Sequence, residues 1–132
     1  MHGRIRESCA LGLALAGSLA VPALAASTTV RVSVGPGGAQ ANGEGAFPSL
    51  SADGRFLTFH SQASNLVPGD TNGAYDVFVR DLTMGKNTRV SVGPGGAQSV
   101  GGGSFEPAIS ADGRFVAFSS QARNLVPGDT NG

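Results

Sequence analysis

Beyond residue 26 the chain alternates short apolar runs with glycine, proline and asparagine, and its apolar positions nowhere recur with the 3.6-residue period of a helix. Four runs follow one another: AFPSLS at 46–51, RFLTFHS at 55–61, YDVFVRD at 75–81 and NTRVSV at 87–92. Each mixes β-branched or aromatic residues with polar ones and is bounded by turn formers, so the chain reads as all-β. Asp53-Gly54 joins the first two runs as a tight hairpin turn, the Asp-Gly pair supplying the positive φ angles. Met84-Gly85-Lys86 turns the third run into the fourth. Apolar residues stand at consecutive positions in Phe56-Leu57-Thr58-Phe59 and in Val77-Phe78-Val79, which puts apolar groups on both faces of the sheet. Both faces therefore expect cover. A two-sheet sandwich is the alternative, and it predicts cleaner alternation and no long internal repeat.

The pattern is then said again. RVSVGPGGAQ at 31–40 recurs letter for letter at 89–98, SLSADGRFLTF at 49–59 returns as AISADGRFVAF at 108–118, and NLVPGDTNG at 65–73 returns at 124–132. Self-similarity at a fixed period marks units that cannot bury their apolar faces alone and that stack on neighbours. The second copy breaks off at Gly132, where the first continues with AYDVFVRDLTMGKNTRVSV, so the expectation is a fragment of a longer protein. Residues 28–34 match 87–92 and read as a fourth strand whose first three partners are absent. In a closed ring such a strand completes the unit formed by the other end and removes exposed edges.

Residues 1–26 carry the marks of a signal peptide: Arg4 and Arg6, then the apolar run CALGLALAGSLA, then Ala23-Leu24-Ala25 as a small-residue cleavage site. The apolar run is too short to span a bilayer, and the single cysteine, Cys9, lies inside it, so neither membrane insertion nor a lipid anchor is expected after cleavage. The mature part, 27–132, has no cysteine, and stability must come from packing, closure or bound ions rather than disulfides. Its near-neutral charge gives no field to attract nucleic acid or an anionic membrane. The expected location is secreted or periplasmic.

Asp70, Asn72 and Asp76 place three oxygen-bearing side chains within seven residues of the loop between the second and third runs. Carboxylate and amide oxygens at alternate positions suit a hard cation such as calcium, although Ala74 and Tyr75 break the EF-hand pattern. The other reading is that Asp70 and Asn72 make side-chain-to-backbone turns and Asn72-Gly73 a left-handed bend. His60 beside Ser61, with Asp53 or Asp76 nearby, invites a nucleophile-and-base reading. Ser119 stands at the His60 place in the second copy, no Gly-x-Ser-x-Gly elbow occurs, and the mature part has no second histidine, so no catalytic residue is assigned. The glycine-rich stretches at 35–38, 93–96 and 101–103 lack the following helix that a phosphate cradle needs, and read as flexible crossings between units. Arg80, Asp81 and Arg55 are expected to form ion pairs between units.

SADGRFLTF and SADGRFVAF resemble the Ser-Pro-Asp-Gly hairpin of the WD-like repeats in TolB-type β-propellers, with Ala52 and Ala111 at the place of the family's proline. With LVPGDTNG and DVFVRDLTMGKNTRVSV, each copy is similar to an extended form of that repeat found in exported bacterial proteins, and the likeness covers essentially the whole mature chain. No separate α/β domain precedes the repeats, as one does in TolB itself. The resemblance implies four-stranded antiparallel propeller blades, with 27–45 as the final strand of a preceding or closing blade plus linker, 46–92 a complete blade, and 93–132 a linker and the first half of the next. That is about one and three-quarter blades of an incomplete β-propeller. It implies an exported non-enzymatic scaffold that binds a protein, a peptide or an envelope polymer. The alternative is the leading propeller of a larger secreted hydrolase of the prolyl-oligopeptidase-like kind.

Overall fold

The computed structural model describes residues 10–12 and 29–130; the expected signal peptide, apart from residues 10–12, lies outside the described residues. The architecture is all-β and antiparallel, in three separate sheets with no closed one among the described residues. A four-stranded sheet runs in sequence order through β3 (Gly45–Leu50), β4 (Phe56–Ser61), β5 (Asp76–Asp81) and β6 (Lys86–Arg89). The second copy forms a two-stranded sheet of β7 (Ser104–Ile109) and β8 (Val116–Ser120). A short pair joins β1 (Ala10–Gly12) to β2 (Thr29–Arg31), with Leu11 opposite Val30. No helix of the described residues is long and apolar enough to cross a membrane.

The first two hairpins are built identically. Ser51 Oγ donates to Asp53 Oδ1 at 2.6 Å and accepts the Phe56 N–H at 3.0 Å, while the Arg55 N–H donates to Asp53 Oδ1. Ser110, Asp112, Arg114 and Phe115 repeat each of these bonds. The Asp-Gly pair does not supply two positive φ angles as expected: only Gly54 and Gly113 take them, both at φ 71°. The aspartate instead works through its carboxylate, which gathers the serine hydroxyl and a backbone N–H of the turn and is held below its ordinary pKa by those bonds.

β4 supplies both faces of the four-stranded sheet, as its run of apolar residues requires. On one face Leu57 and Phe59 pack with Phe78, which is stacked on Phe59 at 5.8 Å between ring centroids. Val32, from the segment before β3, and Ala63 and Leu66, from the loop between β4 and β5, close over them. On the other face Thr58 and Val77 are fully buried and His60 nearly so. There β7 of the second copy lies across, with Ser104 N–H donating to Tyr75 O at 2.7 Å and Ile109 N–H to Ser49 Oγ at 3.3 Å. Burying each of these large apolar side chains is worth roughly 1.5–3 kcal/mol. The sheet is therefore held by its two neighbours as much as by its own ladder.

Two expectations fail at the strand ends and crossings. The strands expected over 28–34 and 87–92 stop at Arg31 and Arg89, because Val34 and Val92 each donate their N–H two residues back, to Val32 O and Val90 O, and bridge Gln40 and Gln98 instead. The glycine-rich crossings expected to be flexible form ordered 3₁₀ turns, Pro36–Gly38 and Pro94–Gly96, with Gly37 at φ 68°, ψ 11° and Gly95 at φ 69°, ψ 12°. A side chain at Gly35 would run into the carbonyl of Asn65, and one at Gly93 into that of Asn124. Asn65 and Asn124 fasten the same crossings, each donating Nδ2 to the carbonyl of Gln40 or Gln98 and accepting the N–H of Asn42 or Val100. The second copy carries one extra residue, Gly101 at φ 87°: residue 42 corresponds to 100 in the asparagine bond, whereas Glu44 corresponds to Gly103 in the bond from Gln62 or Gln121.

Candidate functional site

Asp70, Asn72 and Asp76 are brought together, around a cation that the chain itself supplies. Asp76 is fully buried; its Oδ1 accepts the Ser91 hydroxyl at 2.6 Å and the Ser99 hydroxyl at 3.3 Å. Its Oδ2 takes Asn72 Nδ2 at 2.9 Å and the Arg89 guanidinium at 3.4 Å. The same guanidinium nitrogen lies 3.0 Å from Asp70 Oδ1 and 3.0 Å from Gln98 Oε1, and Gln98 in turn bonds both the N–H and the hydroxyl of Thr71. Asn72 turns its amide nitrogen, not its oxygen, toward Asp76 and gives the oxygen to the Ala74 N–H, the side-chain turn weighed as the second reading. Burial raises the pKa of Asp70, the nearby Asp76 adds to the rise, and Arg89 opposes both. Arg89 Nε is buried without a partner among the described residues. No group of three or more His, Cys, Asp or Glu able to hold a metal occurs among the described residues. The cluster ties the loop to β6 and to the crossing that leads into the second copy.

His60, Ser61 and Asp53 are not brought together. His60 and Ser61 are neighbours on β4 and so face opposite sides of the sheet. Ser61 Oγ donates to Glu44 O at 2.6 Å and accepts the Ala63 N–H at 3.0 Å, and Asp53 is occupied in its turn. His60 Nδ1 accepts the Glu106 N–H from β7 at 3.2 Å. Arg55 pairs with Asp81 at 2.9 Å within the four-stranded sheet, not between units, because Phe56 and Asp81 are in register. Arg80 has no carboxylate partner among the described residues; it donates to Val34 O and Asn87 Oδ1, and burial lowers its pKa.

Around His60 the structure assembles a group of side chains that spacing along the sequence does not announce. Phe47 lies 5.3 Å from the imidazole centroid, Tyr75 and Phe105 meet it edge-on at 5.5 and 5.6 Å, and Tyr75 and Phe105 touch each other at 5.4 Å. The Tyr75 hydroxyl reaches Glu44 Oε2 at 3.4 Å. Phe47 stands 57% exposed at φ 56°, and its counterpart Glu106 is exposed at φ 52°; both sit in β-bulges on the first strand of their copy. A left-handed backbone at a residue other than glycine costs on the order of 1–3 kcal/mol, and a bulge redirects a side chain out of the pleat. Burial lowers the pKa of His60, with Glu106 pulling the other way.

These positions are also where the two copies part company. The structural register sets Glu44 against Gly103, Gly45 against Ser104, Ala46 against Phe105, Phe47 against Glu106 and His60 against Ser119. The usable signal in the sequence was this run of four successive differences at 44–47, the longest between the two copies. No family model matches the chain, and neither a curated protein nor a solved structure matches it.

Proposed function

We propose that the chain is part of an exported, non-enzymatic binding scaffold built from TolB-like β-propeller repeats, and that it takes a protein or peptide partner at the seam of Phe47, His60, Tyr75 and Phe105. The blade reading draws support from the four-stranded meander and from the way β7 of the next copy lies across its face. The observation that carries the binding reading is that an unbroken run of copy-to-copy differences, at 44–47, meets a further one, His60 against Ser119, at this aromatic seam. A repeat scaffold needs its shared residues for packing, so residues that differ between copies are free to serve recognition.

The seam's chemistry narrows the partner. Aromatic rings with two exposed carboxylates beside them, Glu44 and Glu106, suit a segment that carries an apolar or aromatic anchor next to a basic side chain. Panning a displayed random-peptide library on the full chain tests this. Enriched clones should lose most of their binding to Phe47→Ala and weaken with Glu106→Gln. Clones indifferent to both changes would overturn the assignment.

A further inference from the structure

β7 is fastened across the face of the four-stranded sheet by bonds of unlike kind. At its ends Ser104 N–H donates to Tyr75 O at 2.7 Å and Ile109 N–H to Ser49 Oγ at 3.3 Å, and neither acceptor changes charge near neutral pH. Between them Glu106 N–H donates to His60 Nδ1 at 3.2 Å. An imidazole nitrogen accepts a hydrogen bond only while the ring is neutral; in the imidazolium both nitrogens are donors. One proton therefore turns this acceptor into a second donor aimed at the same N–H.

The bond also holds a strained place. Glu106 sits in the β7 bulge at φ 52°, and a residue other than glycine keeps that conformation only where its surroundings fix it. Ser119, at the His60 position of the second copy, gives its hydroxyl to Phe105 O and has no comparable titration, so the ring is a device of the first copy. We propose that His60 is an acid-released latch between the two copies: protonation of Nδ1 breaks the bond to Glu106 N–H and frees the β7 bulge, with Phe105 and Glu106 on it, while the ends of β7 stay fastened. The charged groups beside the ring among the described residues are Glu106 from β7 and Glu44 from the segment before β3. Tyr75, from the loop before β5, brings a hydroxyl to Glu44, and the cross-strand neighbours Ala46 and Val77 are uncharged. Burial opposes the proton and Glu106 favours it, the first effect being the larger. In the opened seam the ring meets water and returns toward its ordinary value of 6.5. Below that value the open form takes up a proton that the closed form resists, so opening grows as the pH falls toward the closed-form pKa and then levels off. The latch goes beyond the binding reading and stands whether or not the seam takes a partner.

Hydrogen exchange resolved by residue on the full chain, between about pH 7.5 and about pH 5 and corrected for intrinsic exchange, tests the latch. The Glu106 amide should lose roughly two- to tenfold of its protection across that span, the worth of one hydrogen bond. At the acid end it should exchange at least about tenfold faster than the amides of Ser104 and Ile109. His60→Asn sets an amide oxygen where Nδ1 stood and takes up no proton, so its Glu106 amide should be equally protected at both ends of the range. A Glu106 amide indifferent to pH overturns the proposal, as does a loss that persists in His60→Asn. Three amides exchanging at one rate in acid also overturn it, because they would mark unfolding of the whole joint. Glu106→Gln, which keeps both partners of the bond, serves if His60→Asn does not fold. Without the carboxylate that favours the proton, the acid loss of protection should deepen by about twofold, and an unchanged or smaller loss would count against the latch.

Discussion

Phe59 and Phe118 occupy the same place in two closely matching nine-residue phrases, and one is fully buried while the other is partly exposed. Leu57 against Val116, Thr58 against Ala117 and Ser61 against Ser120 repeat the contrast. The two hairpins share turn bonds, bulge and register, so their local backbone geometry does not separate them. What separates them is company. The first hairpin has β5 and β6 at its edge, residues 32–41 and 63–67 over one face, and β7 over the other. Local sequence makes the hairpin, and neighbours make it a core.

The largest effect that sharpens this contrast is a paired truncation. Phe59→Ala should cost about 3–5 kcal/mol in urea unfolding, because it opens a cavity beside Phe78, and Phe118→Ala should cost under about 1.5 kcal/mol. Equal costs would break the comparison. Next in size is the arginine pair. Arg89→Met leaves the buried Asp70 and Asp76 carboxylates without their cation and should cost about 3 kcal/mol; Arg31→Met, at the same place in the repeat but exposed, should stay within about 0.5 kcal/mol.

A smaller effect is written in pH. Burial holds the imidazole of His60 below its ordinary value of 6.5 in the fold, so between that lowered value and 6.5 the unfolded chain binds the extra proton. Stability is then complete above about pH 6.5, falls as the pH drops toward the folded pKa, and levels off below it. His60→Ser, the residue of the second copy, should flatten that stretch of a urea midpoint against pH profile. Smallest of all, Arg55→Ala should cost under about 1 kcal/mol through the half-exposed Asp81 pair, and Arg114→Ala nothing measurable.

Strand positions were legible in the sequence because the β signal is local: runs at 46–51, 55–61 and 75–81 fall within a residue of β3, β4 and β5. Cover on both faces was legible too, from apolar neighbours at 56–59 and 77–79. What stayed hidden depends on chain segments that meet across the fold. Val92 looks like strand by composition, yet its N–H closes back on Val90. Pro94–Gly96 looks flexible by composition, yet the asparagine of the next loop, Asn124, pins its crossing. The loop acids Asp70 and Asp76 read as cation ligands until the fold sets Arg89 between them. The seam around His60 joins residues from four separate segments, and no spacing rule reaches across them.

Native-state hydrogen exchange, resolved by residue on the full chain, tests most directly whether neighbours rather than local sequence create the core. The amides of β4 should exchange at least about a hundredfold more slowly than the matching amides of β8, since their opening requires loss of the whole four-stranded sheet. Matching protection in the two strands would contradict the account, because it would make each hairpin stable on its own terms.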